Sequence, residues 1–190
     1  MTKTRFFFPG LGSLTAWIAK QLYETSEAAR DVLGQVDDAL GQKLSMLMAQ
    51  GPAEELTLTA NAQPALFASS LAVVAAIQEH SGKSLSDFGD MVAGHSLGEY
   101  SALCAAGVFD VPTGARLLRV RGDAMQQAVP VGEGAMAALI GADIALADKV
   151  VAQASASGAV QIANDNAPGQ VVLSGSAEAV RDAMRIAQEE

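Results

Sequence analysis

The chain has 190 residues, half of them apolar, with 12 basic against 21 acidic side chains and a net charge of −9. That apolar fraction excludes a disordered chain, and the acidity without a basic run excludes a general binder of nucleic acid or anionic membrane, because phosphate contacts need Lys and Arg. The single cysteine, Cys104, excludes an internal disulfide and a multi-cysteine metal site.

Arg5 to Phe8 is a short run closed by Pro9-Gly10, read as a buried strand entering a turn. Ala16–Glu24 reads as a helix, and Ser26–Leu40 as an amphipathic one whose Ala29, Val32, Leu33 and Val36 share a face. Leu44–Ala49 and Ala53–Leu56 are shorter helical pieces. Gln63–His80, rich in Ala, is expected as a central buried helix, and Ser81–Gly89 as a polar connection. Met91–Ala93 is a second short strand ending at Gly94. Leu97–Ala106 and Val111–Val129 are helices, the latter interrupted around Gly122.

After Val129 the texture changes to a strand (Ala135–Ile140), a helix (Ile144–Ala156), two strands (Gln161–Asn164, Gln170–Ser174) and a helix (Ala177–Glu190). This β-α-β-β-α order matches the first five elements of a ferredoxin-like unit, which needs one more strand to close its sheet. The chain therefore reads as cut short. The expected class is α/β: an α/β-hydrolase-like core with short parallel strands over residues 1–130, and an incomplete ferredoxin-like subdomain over 131–190. No apolar run reaches the roughly 18 residues of a membrane span, and the three-residue apolar stretch at the N-terminus is too short for a signal peptide. The reading is a soluble, cytoplasmic protein with no membrane or nucleic-acid partner.

The strongest motif is Gly94-His95-Ser96-Leu97-Gly98, a Gly-x-Ser-x-Gly pattern between a short strand and a helix. A strand turning abruptly into a helix exposes the Ser96 hydroxyl as a nucleophile and aims the first helical N–H groups, that of Leu97 foremost, at a developing oxyanion. The turn at Phe8-Pro9-Gly10-Leu11 offers the Leu11 N–H as a second donor, although Pro-Gly after a strand is also an ordinary turn. Arg121, among apolar neighbours and beside Gly122, can clamp a carboxylate with two parallel hydrogen bonds or serve as a surface cation. His95 adjoins the nucleophile and is either a structural residue or one that contacts substrate. No histidine follows Ser96, so a base in α/β-hydrolase order is absent from these residues.

At these positions the sequence resembles the malonyl-CoA:acyl carrier protein transacylase family. The resemblance rests on Phe8-Pro-Gly-Leu-Gly-Ser, Asn61-Ala-Gln-Pro-Ala-Leu, Gly94-His-Ser-Leu-Gly-Glu-Tyr-Ser-Ala-Leu, Arg121-Gly122 and Ala163-Asn-Asp-Asn-Ala-Pro-Gly-Gln-Val-Val-Leu-Ser-Gly. It implies a ping-pong transfer of a malonyl group from the coenzyme A thioester to the pantetheine thiol of acyl carrier protein through malonyl-Ser96, in fatty acid or polyketide synthesis. It casts Arg121 as the clamp on the malonyl carboxylate and puts Gln63, Met125 and Asn166 in or near the pocket. Malonyl-CoA is then a substrate, and no metal or redox cofactor is implied.

Leu11 and Leu14 depart from the family, which usually has Gln at both, and the family's catalytic histidine lies beyond the matched stretch. Arg116 and Arg119, one helical turn apart, are candidates for docking the acidic carrier. Two other readings share parts of this site: a serine hydrolase that releases the acyl group to water, and a non-catalytic chain that binds coenzyme A or carrier protein.

Overall fold

The computed structural model describes residues 4–11, 18–130 and 132–190. Ser13, Leu14 and the first two residues of the expected Ala16–Glu24 helix lie outside them. The described residues form two compact units, Met1–Gln127 and Ala128–Glu190.

In the first unit, β1 (Thr4–Phe8) pairs in parallel with β2 (Gly89–Gly94), Phe8 opposite Gly94. Between them come α1 (Ile18–Thr25), α2 (Glu27–Leu40), α3 (Leu44–Gln50), α4 (Ala53–Leu56), α5 (Thr59–Ser81) and α6 (Leu85–Phe88). α7 (Gly98–Ala105) and α8 (Val111–Ala128) follow β2. β1 is not wholly buried as its apolar run suggested: Phe8 is inside while Phe7 is 71% exposed, because successive side chains on a strand face opposite ways.

α2 starts and stops where its sequence dictates. The Ser26 side chain accepts from the Ala29 N–H at 3.0 Å, and Gly41 ends the helix in the left-handed conformation at φ 59°. Its buried face is Ala29, Val32, Leu33 and Val36, as the 3.6-residue spacing required. That face packs on α5, whose buried run from Asn61 to Ala68 includes Phe67 at the centre of the core. Burying Phe67 contributes about 1.5–3 kcal/mol.

α5 begins four residues earlier than its apolar run suggested and carries Pro64 inside. By length and a mean hydropathy of 1.4 it is apolar enough to cross a bilayer. Polar residues within it hide this from a search for unbroken apolar runs. A packed core helix meets the same criterion, and the first half of α5 is such a helix.

Two other expectations need correction. The Ser81–Gly89 connection contains α6, because Ser84 and Asp87 form a reciprocal capping box that closes a single turn. α8 runs unbroken through Gly122. A Cβ there would lie 2.7 Å from Ala60 Cα, so Gly122 serves close packing of α8 on α5 and not a break.

In the second unit, β3 (Gly134–Ile140), α9 (Ile144–Ala154), β4 (Val160–Ala167), β5 (Gln170–Ser176) and α10 (Ala177–Glu189) follow in order, with one 3-10 turn after α9. The sheet is antiparallel with order β3-β5-β4. Pro168-Gly169, with Gly169 at φ 82°, closes the β4–β5 hairpin as a two-residue turn suited to those residues. α9 and α10 cover one face through Ala147, Val150, Ala183 and Ile186 against Leu139, Val171 and Leu173. The described residues thus form a mixed α/β protein with one small parallel sheet and one small antiparallel sheet.

Candidate active site

The site forms where both parallel strands end, the usual location in open α/β sheets. β2 stops at Gly94, the chain turns through His95-Ser96-Leu97, and α7 begins at Gly98. Ser96 has φ 56°, and it is the one non-glycine residue with positive φ among those described. Holding a serine there costs about 1–3 kcal/mol, a strain that surrounding structure must sustain.

The flanking glycines are required by space. A Cβ on Gly94 would lie 2.0 Å from Gly98 C and O, and one on Gly98 would lie 2.2 Å from Phe8 O. Both obstacles are backbone and cannot swing aside. The His95 N–H donates to the Phe8 carbonyl at 3.0 Å, tying the turn to the end of β1. The Leu97 side chain is fully buried in the core and anchors the other side of the elbow.

Within the turn, the Gly98 N–H donates to the His95 carbonyl at 2.9 Å and the Glu99 N–H to the Ser96 carbonyl at 3.1 Å. The Leu97 N–H is not among these bonds. Gly10 runs against the same elbow: a Cβ on it would sit 2.7 Å from His95 Nδ1 and 3.5 Å from Ser96 Cβ. Leu11 follows in an exposed turn, its side chain 47% exposed.

α8 supplies the cation. Arg121 Nη2 donates to Ser96 Oγ at 3.1 Å, and Nη1 donates to Gln63 Oε1. Gln63 is fully buried, and its Nε2 donates to Thr59 Oγ1 at 2.8 Å and to Met125 Sδ at 3.2 Å. Ser96, Arg121, Gln63 and Met125 are therefore joined in one network. Thr59 belongs to it too. Sequence reasoning does not single it out, although it lies one turn before Gln63 on the same helix face.

Asn166 belongs to the second unit. The β4–β5 register shifts between Asp165 and Ala167, so Asn166 occupies a bulge, a feature that redirects side chains. It borders a cleft of about 380 Å³ with Asp143, Asp165, Pro168 and Val171.

Arg119 does not act as a free docking cation. It donates to Asn61 Oδ1 at 2.9 Å and to Gln42 Oε1, holding α8 to α5 and to the α2–α3 connection. Arg116 is exposed on the same helix.

Fold and site together define a mixed α/β protein with a serine on a strained strand-to-helix turn and an arginine bonded to its hydroxyl. The sequence model of the acyl transferase domain matches residues 5–190. The chain is 47% identical over 190 residues to the malonyl CoA-acyl carrier protein transacylase of Bacillus subtilis (strain 168), covering all of this chain and 58% of that protein. It is 45% identical over 183 residues to the protein of the same name from Escherichia coli O157:H7, covering 96% of this chain and 58% of the relative. Among solved structures, the acyl-carrier-protein-S-malonyltransferase of Bartonella henselae is similar at 52% identity and a TM-score of 0.90, covering 99% of this chain and 60% of that one. A malonyl-transacylase in complex with its type II PKS acyl-carrier protein is similar at 39% identity and a TM-score of 0.88, again covering 99% of this chain and 60% of that one. The chain belongs to the acyl transferase domain family. It spans about 58–60% of the length of these relatives.

Proposed function

We propose that this chain carries the nucleophile and the carboxylate clamp of a malonyl transfer from coenzyme A to the pantetheine thiol of acyl carrier protein. The observation that supports it most is the 3.1 Å bond from Arg121 Nη2 to Ser96 Oγ at a serine held at positive φ. A fixed cation beside a strained, outward-facing hydroxyl suits an acyl group that ends in a carboxylate.

Ser96 Oγ attacks the thioester carbonyl and gives up its proton to a base, a role the family resemblance gives to a histidine beyond the matched stretch. The carbonyl oxygen becomes an oxyanion held by the N–H groups of Leu97 and Leu11. The C–S bond then breaks, coenzyme A leaves as the thiol, and Ser96 is left as its malonyl ester. The carrier's pantetheine thiol attacks that ester, and Ser96 Oγ leaves with a proton restored. Arg121 holds the malonyl carboxylate through both steps. Gln63 and Met125 fix Arg121, His95 braces the elbow against Gly10 and contacts substrate, and the family resemblance gives Asn166 a part in substrate binding.

The same reading covers the finer architecture. The pair β1–β2 belongs to an α/β-hydrolase-like core with short parallel strands over residues 1–130. The order β3-β5-β4 with its two helices agrees with a ferredoxin-like subdomain over 131–190. Acyl carrier protein is the acceptor and the cytoplasm the compartment. The test is intact mass after incubation with malonyl-CoA, followed by holo acyl carrier protein. The expected result is a malonyl adduct absent from Ser96→Ala and passed to the carrier. An adduct that persists in Ser96→Ala, or that goes to water as fast as to the carrier, would sink the proposal.

A further inference from the structure

Every polar atom of the buried Gln63 side chain has a partner of fixed chemistry. A guanidinium can only donate and a thioether can only accept. Arg121 Nη1 must therefore face the amide oxygen, and Met125 Sδ must face the amide nitrogen. Thr59 Oγ1 takes the remaining amide hydrogen at 2.8 Å. Gly122 brings the α8 backbone onto the same first turn of α5, since a Cβ there would lie 2.8 Å from the Thr59 carbonyl oxygen. A continuous path of contacts runs from Thr59 through Gln63 and Arg121 to Ser96 Oγ.

The geometry points to Thr59 as a positioning residue that sets the Arg121 guanidinium, and through it the discrimination between acyl groups with and without a terminal carboxylate. Thr59 Oγ1 bonds to Gln63 alone in this network, and by accepting from Nε2 it ties down the end of the amide opposite the oxygen that receives Arg121. Without that acceptor, one buried amide hydrogen has no partner, and the amide gains by tilting toward another acceptor at the expense of its fit to Nη1. A tilted amide loosens its oxygen's hold on Nη1, and of the two guanidinium bonds described only that to Ser96 Oγ is left intact. Met125, 43% exposed and a weak acceptor, cannot hold the amide alone. The inference rests on Arg121 being the carboxylate clamp of the proposed reaction.

Thr59→Val keeps the shape and deletes the acceptor; Thr59→Ser keeps the acceptor. The first readout needs no turnover: the ¹⁵N signals of the Arg121 side chain, assigned by their loss in Arg121→Lys. Restricted rotation, with Nη1 and Nη2 resolved, is expected in the parent chain and in Thr59→Ser, and averaging in Thr59→Val. Thr59→Ala, which also removes the acceptor, is the second variant should Thr59→Val fail to fold, and the same averaging is expected there. Resolved Nη signals in a folded Thr59→Val or Thr59→Ala chain overturn the inference, because a residue that merely starts α5 would lower stability and leave the guanidinium held. The second readout is the ratio of Ser96 labelling by malonyl-CoA to that by acetyl-CoA, expected to fall about tenfold in Thr59→Val and to recover in Thr59→Ser. If the parent chain is not labelled at Ser96, the proposed reaction fails and the ¹⁵N readout alone decides the role of Thr59.

Discussion

Arg121 Nη2 lies 3.1 Å from Ser96 Oγ, so the cation on α8 and the hydroxyl after β2 are in contact before any acyl group is bound. The remaining Nη1 bond to Gln63 fixes one arm of the fork and leaves the other for an incoming carboxylate. Arg121→Ala is expected to lower kcat/KM for malonyl-CoA by roughly 10- to 100-fold, the loss of charge-assisted hydrogen bonds. Acetyl-CoA should be unaffected or improved. Arg121→Lys should restore little, because an ammonium cannot bond Gln63 and a carboxylate in one plane. Acylation rates with both thioesters check this, and equal losses for the two would count against a clamp.

The elbow predicts opposite effects at neighbouring positions. Gly98→Ala drives a Cβ to within 2.2 Å of the Phe8 carbonyl and should cost more than about 3 kcal/mol or prevent folding. Ser96→Gly, at φ 56°, should instead be about 1 kcal/mol more stable than Ser96→Ala, since glycine adopts that conformation without strain. Urea unfolding of the three variants measures both. A Ser96→Gly chain no more stable than Ser96→Ala would mean that the elbow stores no strain.

Much of this fold is legible where one local signal acts alone. Ser26 and Gly41 bracket α2, and the Gly-x-Ser-x-Gly spacing marks the turn at Ser96. Features set by packing are not legible. Gly122 reads as a helix interruption, yet it is the point where α8 meets Ala60, which a single sequence cannot reveal. Arg119 and Arg121 are two residues apart and look alike in sequence. One is committed to Asn61 and Gln42 and the other to Gln63 and Ser96, because two residues along a helix point to different faces. Thr59 is illegible for the same reason: its place in the network depends on the contacts that the buried Gln63 amide makes with α8.

Two substitutions away from the site should stabilise. Gly34 lies on the exposed side of α2, and a Cβ added to it would meet nothing within 4 Å. Gly34→Ala should therefore gain about 0.5–1 kcal/mol from helix propensity. Ser101 on α7 is fully buried, and its Oγ has no hydrogen-bond partner among the described residues. Ser101→Ala removes an unpaired hydroxyl whose burial costs about 1–3 kcal/mol, so its stability should equal or exceed the parent's. Thermal unfolding decides both, and a clear loss in Ser101→Ala would reveal a hydrogen bond beyond those of the described residues.

Acid should loosen the junction of α2 and α5 through Glu79. Its carboxylate accepts from Ser26 Oγ at 2.5 Å and from the Ala28 N–H at 3.2 Å, so a residue of α5 caps the start of α2. The Ser26 hydrogen bond first, then that of Ala28, holds the Glu79 carboxyl below its ordinary value of 4.5. A carboxyl depressed in the folded state binds fewer protons there than in the unfolded state. Its contribution is complete above about pH 4.5 and is lost as pH falls through the lower folded value. Asp87, Asp110 and Asp182 are depressed by their own hydrogen bonds and give the parent a background slope in the same direction. The signal is therefore the difference between chains. Glu79→Gln should be less stable than the parent at pH 7, and the gap should narrow as pH falls below about 4.5. Ser26→Ala should reduce the same gap from the other side, and double-mutant cycles at about pH 7 and about pH 3.5 measure the coupling directly. A gap between parent and Glu79→Gln that stays constant across this range would mean that the carboxylate's charge contributes nothing to capping α2.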